Sequence, residues 1–107
     1  MTEQAYLVML SLAHGPRHGY GIVQEVLTLS DGRVKLGAGT LYGVLDRLVD
    51  ACYVEASGEE VVDGRLRRYY TLTDEGHGAS VAHTRQLAAL ARTAHRALTA
   101  RPVTGTA

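Results

Sequence analysis

One stretch of this chain changes its hydrophobic period, and that change limits the folds open to it. Residues 53–57 and 66–72 alternate with a period of two, whereas the segments before and after them repeat with the period of an α-helix. The polar residues 58–65 contain the turn pair Asp63-Gly64, so the pattern predicts one β-hairpin with an extended, charged tip. Because a chain of 107 residues buries roughly 64% of its unfolded surface, it supports one modest core.

Four segments have the apolar spacing of helices, over residues 3–13, 18–29, 40–51 and 73–100. Thr2 and Thr73 precede the first and the last as N-caps. The run Val34-Lys35-Leu36 predicts either a short strand or a connector. The residues expected to face the core are Ala5, Val8, Met9 and Leu12 in the first helix, Ile22, Val23, Val26 and Leu29 in the second, and Leu41, Val44, Leu45 and Leu48 in the third.

Glycines lie where helices would ordinarily carry larger residues. Gly39 and Gly43 fall on the outer face of the third helix, which indicates that another surface approaches closely there; mere tolerance of small residues is the alternative. Gly19 and Gly21, near the start of the second helix, each cost roughly 1 kcal/mol relative to alanine. They predict that the backbone of the second helix lies close to another part of the molecule.

The charged side chains sum to zero, but the basic and acidic ones are distributed unevenly along the chain. Eleven basic and eleven acidic side chains give zero formal charge, which taken alone argues against a nucleic-acid-binding protein. Residues 1–75 hold seven basic and all eleven acidic side chains, whereas residues 76–107 hold four arginines and no acid. The densest basic cluster is Arg65, Arg67 and Arg68, and arginine is suited to forked contacts with phosphate and base edges. Codon composition is the alternative explanation for the many arginines.

Several other classes of protein are disfavoured. Cys52 is the only cysteine, so no internal disulfide forms and a reducing, cytoplasmic setting is expected; it is interpreted as a small buried hydrophobe, with a redox sensor as the alternative. No run approaches the roughly 18 apolar residues of a membrane span, and no targeting segment is evident. His14 and His18 are four residues apart, but Gly15-Pro16 breaks the helix that would align them, and the other histidines lack metal-ligand spacing. No catalytic motif occurs, so neither a cofactor nor an enzyme activity is expected.

The order of the elements is typical of a winged helix-turn-helix followed by a long helix. Three segments strengthen that interpretation: LAHGPRHGYGI at residues 12–22, LGAGTLYGVLDRL at 36–48 and GRLRRYYTLT at 64–73. In combination they resemble the PadR family of bacterial transcriptional regulators, over residues 5 to about 78. The sequence departs from the common pattern at Gly37, Ala38 and Gly43, where many members have serine, proline and proline.

The resemblance implies a homodimeric repressor of the short branch of the family, released from DNA by a small molecule in some members. The expected regions are a winged helix-turn-helix at 1–73, a dimerisation helix at 74–101 and a flexible tail at 102–107. An apolar, heptad-like stripe on the last helix fits the dimer. It consists of Leu87, Leu90, Ala91, Ala94 and Leu98. An effector pocket between the first and last helices would be lined by Tyr6, although nothing in the sequence identifies an effector.

Ten residues are predicted to contact double-stranded DNA, on the second and third helices, the connector and the hairpin. They are His18, Tyr20, Lys35, Thr40, Tyr42, Gly43, Arg47, Arg65, Arg67 and Arg68. Two of these residues have an alternative role within the fold. Tyr42 would cover the edge of the core, and Arg68 would pair with Asp74 or Glu75. Tyr69 and Tyr70 are interpreted as strand packing rather than base stacking.

Two functions follow. The favoured one is a dimeric repressor that reads a palindrome with half-sites about one helical turn apart. The alternative is a winged-helix module for protein interaction with weak or no specific DNA binding, which the excess of acids in residues 1–75 favours.

Overall fold

A computed structural model describes residues 1–100 as four helices and a three-stranded antiparallel sheet. Arg101, the predicted end of the dimerisation region, and the predicted tail at 102–107 lie outside the described residues. In chain order the elements are α1 (Glu3–Ser11), β1 (Arg17–His18), α2 (Gly19–Leu29), α3 (Ala38–Asp50), β2 (Val54–Val62), β3 (Arg65–Leu72) and α4 (Asp74–Thr99). The predicted architecture, a winged helix-turn-helix followed by a long helix, is confirmed.

The core lies between α1, α2, α3 and the base of the hairpin. Its buried hydrophobic residues are Leu7, Val8, Met9, Leu12, Ile22, Val26, Leu36, Leu41, Val44, Leu45, Leu48, Val54 and Tyr70. The predicted core faces are confirmed apart from Leu29, which is 43% exposed. Leu29 lies on the expected side of α2 but in its last turn, beyond the part of the helix that packs in the core.

Side chains fix the starts of three helices. Thr2 Oγ1 accepts a hydrogen bond from the amide of Ala5 at 3.1 Å, and Thr73 Oγ1 accepts one from Gly76 at 3.0 Å, so both predicted caps are confirmed. His18 lies just outside α2 and caps it, because its Nδ1 accepts the amide hydrogen of Gly21 at 3.2 Å.

The third strand of the sheet is β1, which sequence patterning does not reveal. The sheet order is β1-β3-β2, and Arg17 and His18 pair antiparallel with Tyr70 and Tyr69. Residues 34–36 form a connector, so a short strand there is wrong. A strand of two residues is too short to show a period of two, and only its pairing with β3 defines it.

The hairpin is more regular than predicted. The expected loop over 58–65 is wrong, because β2 continues to Val62 and β3 begins at Arg65. Asp63 and Gly64, with φ of 52° and 76°, form a two-residue turn. The outer part of the hairpin is exposed on both faces, so its strands carry no apolar alternation. The pairing register shifts between Ala56 and Gly58.

α4 packs on α1 with its first half only. Ser80 Oγ is buried, donates to the carbonyl of Gly76 at 2.8 Å and lies 3.6 Å from Met9 Sδ. Farther along, the hydroxyls of Tyr6 and Thr84 are 2.6 Å apart. Every residue of α4 from Thr84 onward is exposed, so the second half projects from the domain.

The end of α3 contradicts one expectation. Cys52 is exposed rather than buried, and its φ of 63° lies in the left-handed region. The chain reverses there between α3 and β2, which turns the side chain outward. The carbonyl of Cys52 accepts a hydrogen bond from Thr73 Oγ1 at 2.6 Å, so its backbone, not its thiol, holds the structure together.

Two further features concern residues 1–100 alone. None of their helices, α4 included, is both long and apolar enough to span a membrane. Their histidine, cysteine, aspartate and glutamate side chains do not gather in groups of three or more that could hold a metal ion.

Gly76 is the glycine whose replacement by alanine should destabilise the fold most. A Cβ at Gly76 would collide with the carbonyl oxygen of Tyr53 and lie 2.8 Å from Leu72 Cδ1. We expect Gly76→Ala to lower the free energy of unfolding by about 3 kcal/mol. Urea denaturation followed by circular dichroism measures this loss.

Gly78→Ala is the matched control, because a Cβ at this position meets nothing within 4 Å. It should raise the free energy of unfolding by roughly 0.5 to 1 kcal/mol through helix propensity. Equal effects of the two substitutions would contradict the close approach of α4 to Tyr53.

Candidate nucleic-acid interface

The outer face of α3 is exposed to solvent and carries small residues at Gly39 and Gly43. Its opposite face carries the buried residues Leu41, Val44, Leu45 and Leu48, which orients the helix. A Cβ added at Gly39 or Gly43 would meet nothing within 4 Å, so packing within this chain does not require glycine at either position. The face is accessible to an approaching surface, and it also carries the exposed carboxylates of Asp46 and Asp50.

Tyr42 joins the start of α2 to α3. A Cβ at Gly19 would lie 2.7 Å from Tyr42 Oη, so Gly19 makes room for the tyrosine and the predicted close approach is confirmed there. The close approach predicted at Gly21 is wrong, because a Cβ added there would lie 3.7 Å from its nearest neighbours, Arg17 Cβ and His18 Cε1, which is an ordinary van der Waals distance. Tyr42 remains 47% exposed, so it covers the α2–α3 contact and still presents its ring to solvent.

His18 and Tyr20 differ in their freedom to reach DNA. The His18 ring packs edge-on against Tyr69, with centroids 5.5 Å apart, while its Nδ1 caps α2. It therefore ties α2 to the hairpin. Tyr20 stacks on His18 with centroids 6.5 Å apart and is 71% exposed, so its hydroxyl is available at the surface.

Arg17 holds three elements together, and the sequence interpretation missed it. Its Nε donates to the carbonyl of Ser11 at 2.6 Å, and its guanidinium lies 3.4 Å from the Glu25 carboxylate. It also belongs to β1 and so pairs with β3. A cation just after the end of α1, near unpaired helix carbonyls, is the signal that could have identified it.

The hairpin register places a glutamate opposite two of the three hairpin arginines. Arg68 faces Glu59 and Arg67 faces Glu60, whereas Arg65 faces Val62. Arg68 Nε lies 3.3 Å from Glu59 Oε1. The alternative role of Arg68, a pairing with Asp74 or Glu75, is wrong, because these acids begin α4 beyond the opposite end of β3.

The two hairpin tyrosines have different roles. Tyr70 is 7% exposed and belongs to the core, which confirms its role in strand packing. Tyr69 is half-buried and its hydroxyl donates to Glu60 Oε1 at 2.5 Å. This hydrogen bond to Glu60 raises the pKa of Tyr69 above its ordinary value, and the nearby guanidinium of Arg67 partly offsets that rise.

The remaining predicted residues do not form one patch. Lys35 is exposed in the connector, and Thr40 is exposed in the first turn of α3. Arg47 lies on the flank of α3 away from the hairpin, at a cleft of about 480 Å³ that also involves Ala5 of α1 and His83 of α4. The predicted DNA contacts therefore lie on both sides of α3, with Asp46 and Asp50 between them.

The structure has a cavity of about 320 Å³ between α1 and α4, where an effector pocket was predicted. Its lining includes Met9, Leu10, Val81 and Arg85. Tyr6 is not part of that lining, because its hydroxyl is held at Thr84 and its ring contacts His83.

The predicted dimerisation stripe lies on the projecting half of α4. All five of its residues, Leu87, Leu90, Ala91, Ala94 and Leu98, are exposed in the single chain. Leu90 and Leu98 are 65% and 75% exposed. The stripe continues the same side of α4 that carries the buried Gly76 and Ser80.

Comparison with known proteins finds similarity to transcriptional regulators. Residues 8–81, from α1 into α4, match the model of the PadR-like family of transcriptional regulators. The transcriptional regulator Rv3488 of Mycobacterium tuberculosis is 41% identical over 75 residues, which make up 70% of this chain and 66% of that protein. The match spans just under two thirds of the length of the curated relatives.

Solved structures share the fold. A PadR family transcription regulator from Clostridium difficile R20291 has a TM-score of 0.77 at 20% identity, over 91% of this chain and 99% of that one. Bacillus subtilis PadR, solved in complex with operator DNA, has a TM-score of 0.68 at 20% identity, over 78% of this chain and 48% of that one.

Proposed function

Because this chain belongs to the PadR-like family of transcriptional regulators, we propose that it binds double-stranded DNA as a homodimer and represses transcription from a palindromic operator. Members of this family are regulators rather than enzymes. The observation that carries the proposal is the open outer face of α3, which lies within the matched residues 8–81. Such a regulator would act in the cytoplasm, where bacterial DNA is accessible.

α3 is the element proposed to enter the major groove. Its 13 residues extend for about 20 Å, and Gly39 and Gly43 let its backbone approach the base edges closely. Thr40, Tyr42 and Arg47 would contact bases or phosphates from the two flanks. Because Asp46 and Asp50 repel phosphates, they restrict the orientations in which α3 can be inserted, and an aspartate can accept a hydrogen bond from cytosine.

The hairpin is proposed to add contacts beside the groove. Arg65, next to the turn, has no acid opposite it and is the hairpin arginine most available to a phosphate. Tyr20 and Lys35 are exposed and would contact the backbone. We therefore expect few phosphate contacts and a correspondingly moderate dependence of affinity on salt.

Dimerisation through α4 would bury its apolar stripe. Leucines that are 65% and 75% exposed gain free energy when a second copy covers them. A two-fold dimer presents two α3 helices to one face of DNA, which favours a palindrome with half-sites about 10 bp apart. An apolar small molecule in the cavity between α1 and α4 would alter the direction of α4 and thereby the spacing of the two α3 helices.

The first prediction concerns DNA affinity and salt. We expect a sequence selected from a random DNA library to bind the full chain, with log Kd rising linearly with log salt concentration. Fluorescence anisotropy of the labelled duplex measures both the affinity and the slope. Selection of no sequence, or a flat salt dependence, would instead favour the winged-helix module for protein interaction.

The second prediction concerns the hairpin tip. Arg65→Ala combined with Arg67→Ala should weaken binding to every DNA sequence and reduce the magnitude of the salt slope, by about 2 on the selected duplex. Arg92→Ala combined with Arg96→Ala removes the same charge from exposed positions of α4 and should leave the slope unchanged. Equal slopes for the two double variants would show that the tip does not touch DNA.

The third prediction concerns assembly. Leu90→Asp should yield a monomer in sedimentation equilibrium, because the dimer would have to bury an unpaired carboxylate. Ala89→Asp is the control, since Ala89 is exposed on the side of α4 away from the stripe. A Leu90→Asp protein that remains dimeric would place the interface elsewhere.

A further inference from the structure

Two of the three hairpin arginines face a glutamate on the neighbouring strand. Arg68 lies directly opposite Glu59, and Arg68 Nε is 3.3 Å from Glu59 Oε1. Arg67 lies directly opposite Glu60, whose carboxylate accepts the hydroxyl hydrogen of Tyr69. Opposite charges at directly paired positions of an antiparallel ladder attract each other. In the isolated chain, two of the three arginines therefore have a carboxylate as their nearest charged neighbour across the hairpin.

The hairpin as a whole is not basic. Residues 54–72 contain three arginines and four acids, which gives a formal charge of minus one. The groove between the hairpin and α3 adds Asp46 and Asp50 beside Arg68 and Glu59. A phosphate that enters this groove therefore meets three carboxylates and one guanidinium.

We propose that Glu59 and Glu60 are specificity-determining residues that suppress the binding of the hairpin to DNA of random sequence. Each acts as a competitor for phosphate, because Arg68 or Arg67 must give up a carboxylate neighbour before it gains a phosphate. The inference rests on the proposed DNA-binding function.

The competition acts unequally on specific and non-specific DNA. Non-specific binding consists almost entirely of phosphate contacts, so weaker hairpin contacts reduce it directly. On a specific site, base contacts of α3 hold the hairpin beside the backbone, and the exchange of carboxylate for phosphate takes place within the complex at high effective concentration. The glutamates thus lower the affinity for random DNA more than the affinity for the specific site.

The test measures the affinity of the full chain for two labelled duplexes by fluorescence anisotropy. One is a 20-bp duplex of random sequence, and the other is the duplex selected from a library. Glu59→Gln combined with Glu60→Gln should raise affinity for the random duplex about tenfold and steepen its salt slope by up to about 2. The affinity for the selected duplex should rise less. Of the single variants, Glu59→Gln should have the larger effect, because Glu59 forms the direct ion pair.

Two comparisons separate this competition from a general change in charge. Glu55→Gln removes one acid from the same strand, where the residue opposite is Thr71, and should change the affinity for the random duplex much less than Glu59→Gln. In a background of Arg68→Ala, Glu59→Gln should give no gain, because the arginine that it releases is missing. A gain that persists without Arg68, or an equal gain from Glu55→Gln, would overturn the proposal.

The outcomes also distinguish the inference from the proposed function. Unchanged binding of random DNA by the double glutamine variant, with the wild-type chain still binding its selected site, would overturn the inference alone. Binding of random DNA by the variant, with no selected site for the wild type, would overturn both the specific regulator and the role of the two glutamates in specificity. All of these glutamates are exposed, so matching melting curves will show that the fold is intact. Absence of binding in every protein would overturn both.

Discussion

The structure depends on a junction at which three functional elements meet, formed by Cys52, Tyr53 and residues 72–76. The carbonyl of Cys52 accepts from Thr73 Oγ1 at 2.6 Å, and the carbonyl of Tyr53 accepts from the amide of Thr73 at 3.0 Å. Gly76 lets the first turn of α4 approach Tyr53 so closely that no side chain fits between them. The end of α3, the base of the hairpin and the start of α4 are thereby fixed relative to one another.

Features with a strong local signal could be predicted from the sequence. The helices, the caps Thr2 and Thr73 and most of the core follow from apolar spacing and short-range hydrogen bonding. β1 and the outer part of the hairpin, residues 58–65, could not be predicted in this way, because their backbone is held by partners distant in the chain and their side chains show no apolar alternation. Cys52 was misinterpreted for a similar reason, since its exposure follows from a left-handed turn.

In the candidate interface, too, features with a local sequence signal could be predicted and features that depend on distant partners could not. Its helices and the base of its hairpin were predicted correctly, but most of the side-chain contacts of the hairpin were not, because those contacts depend on strand register. Register pairs Arg68 with Glu59 rather than with the acids that follow β3, and it brings His18 against Tyr69. The zero formal charge of the sequence therefore reflects, within the hairpin, acids placed opposite arginines, whereas the four arginines of residues 76–107 have no acid in their own segment.

One side of α4 is buried in the first half of the helix and exposed to solvent in the second half. Gly76 and Ser80 are buried within the chain, and Leu87 to Leu98 continue the same stripe into solvent. Because an α-helix is stiff over a few turns, the docked half sets the direction of the projecting half. The projecting 16 residues span about 24 Å, so a tilt of about 10° at the docked half moves the far end by about 4 Å. The contacts of Tyr6 with Thr84 and of Ser80 with Met9 lie where such a tilt would begin, so packing between α1 and α4 sets the direction in which the apolar stripe projects.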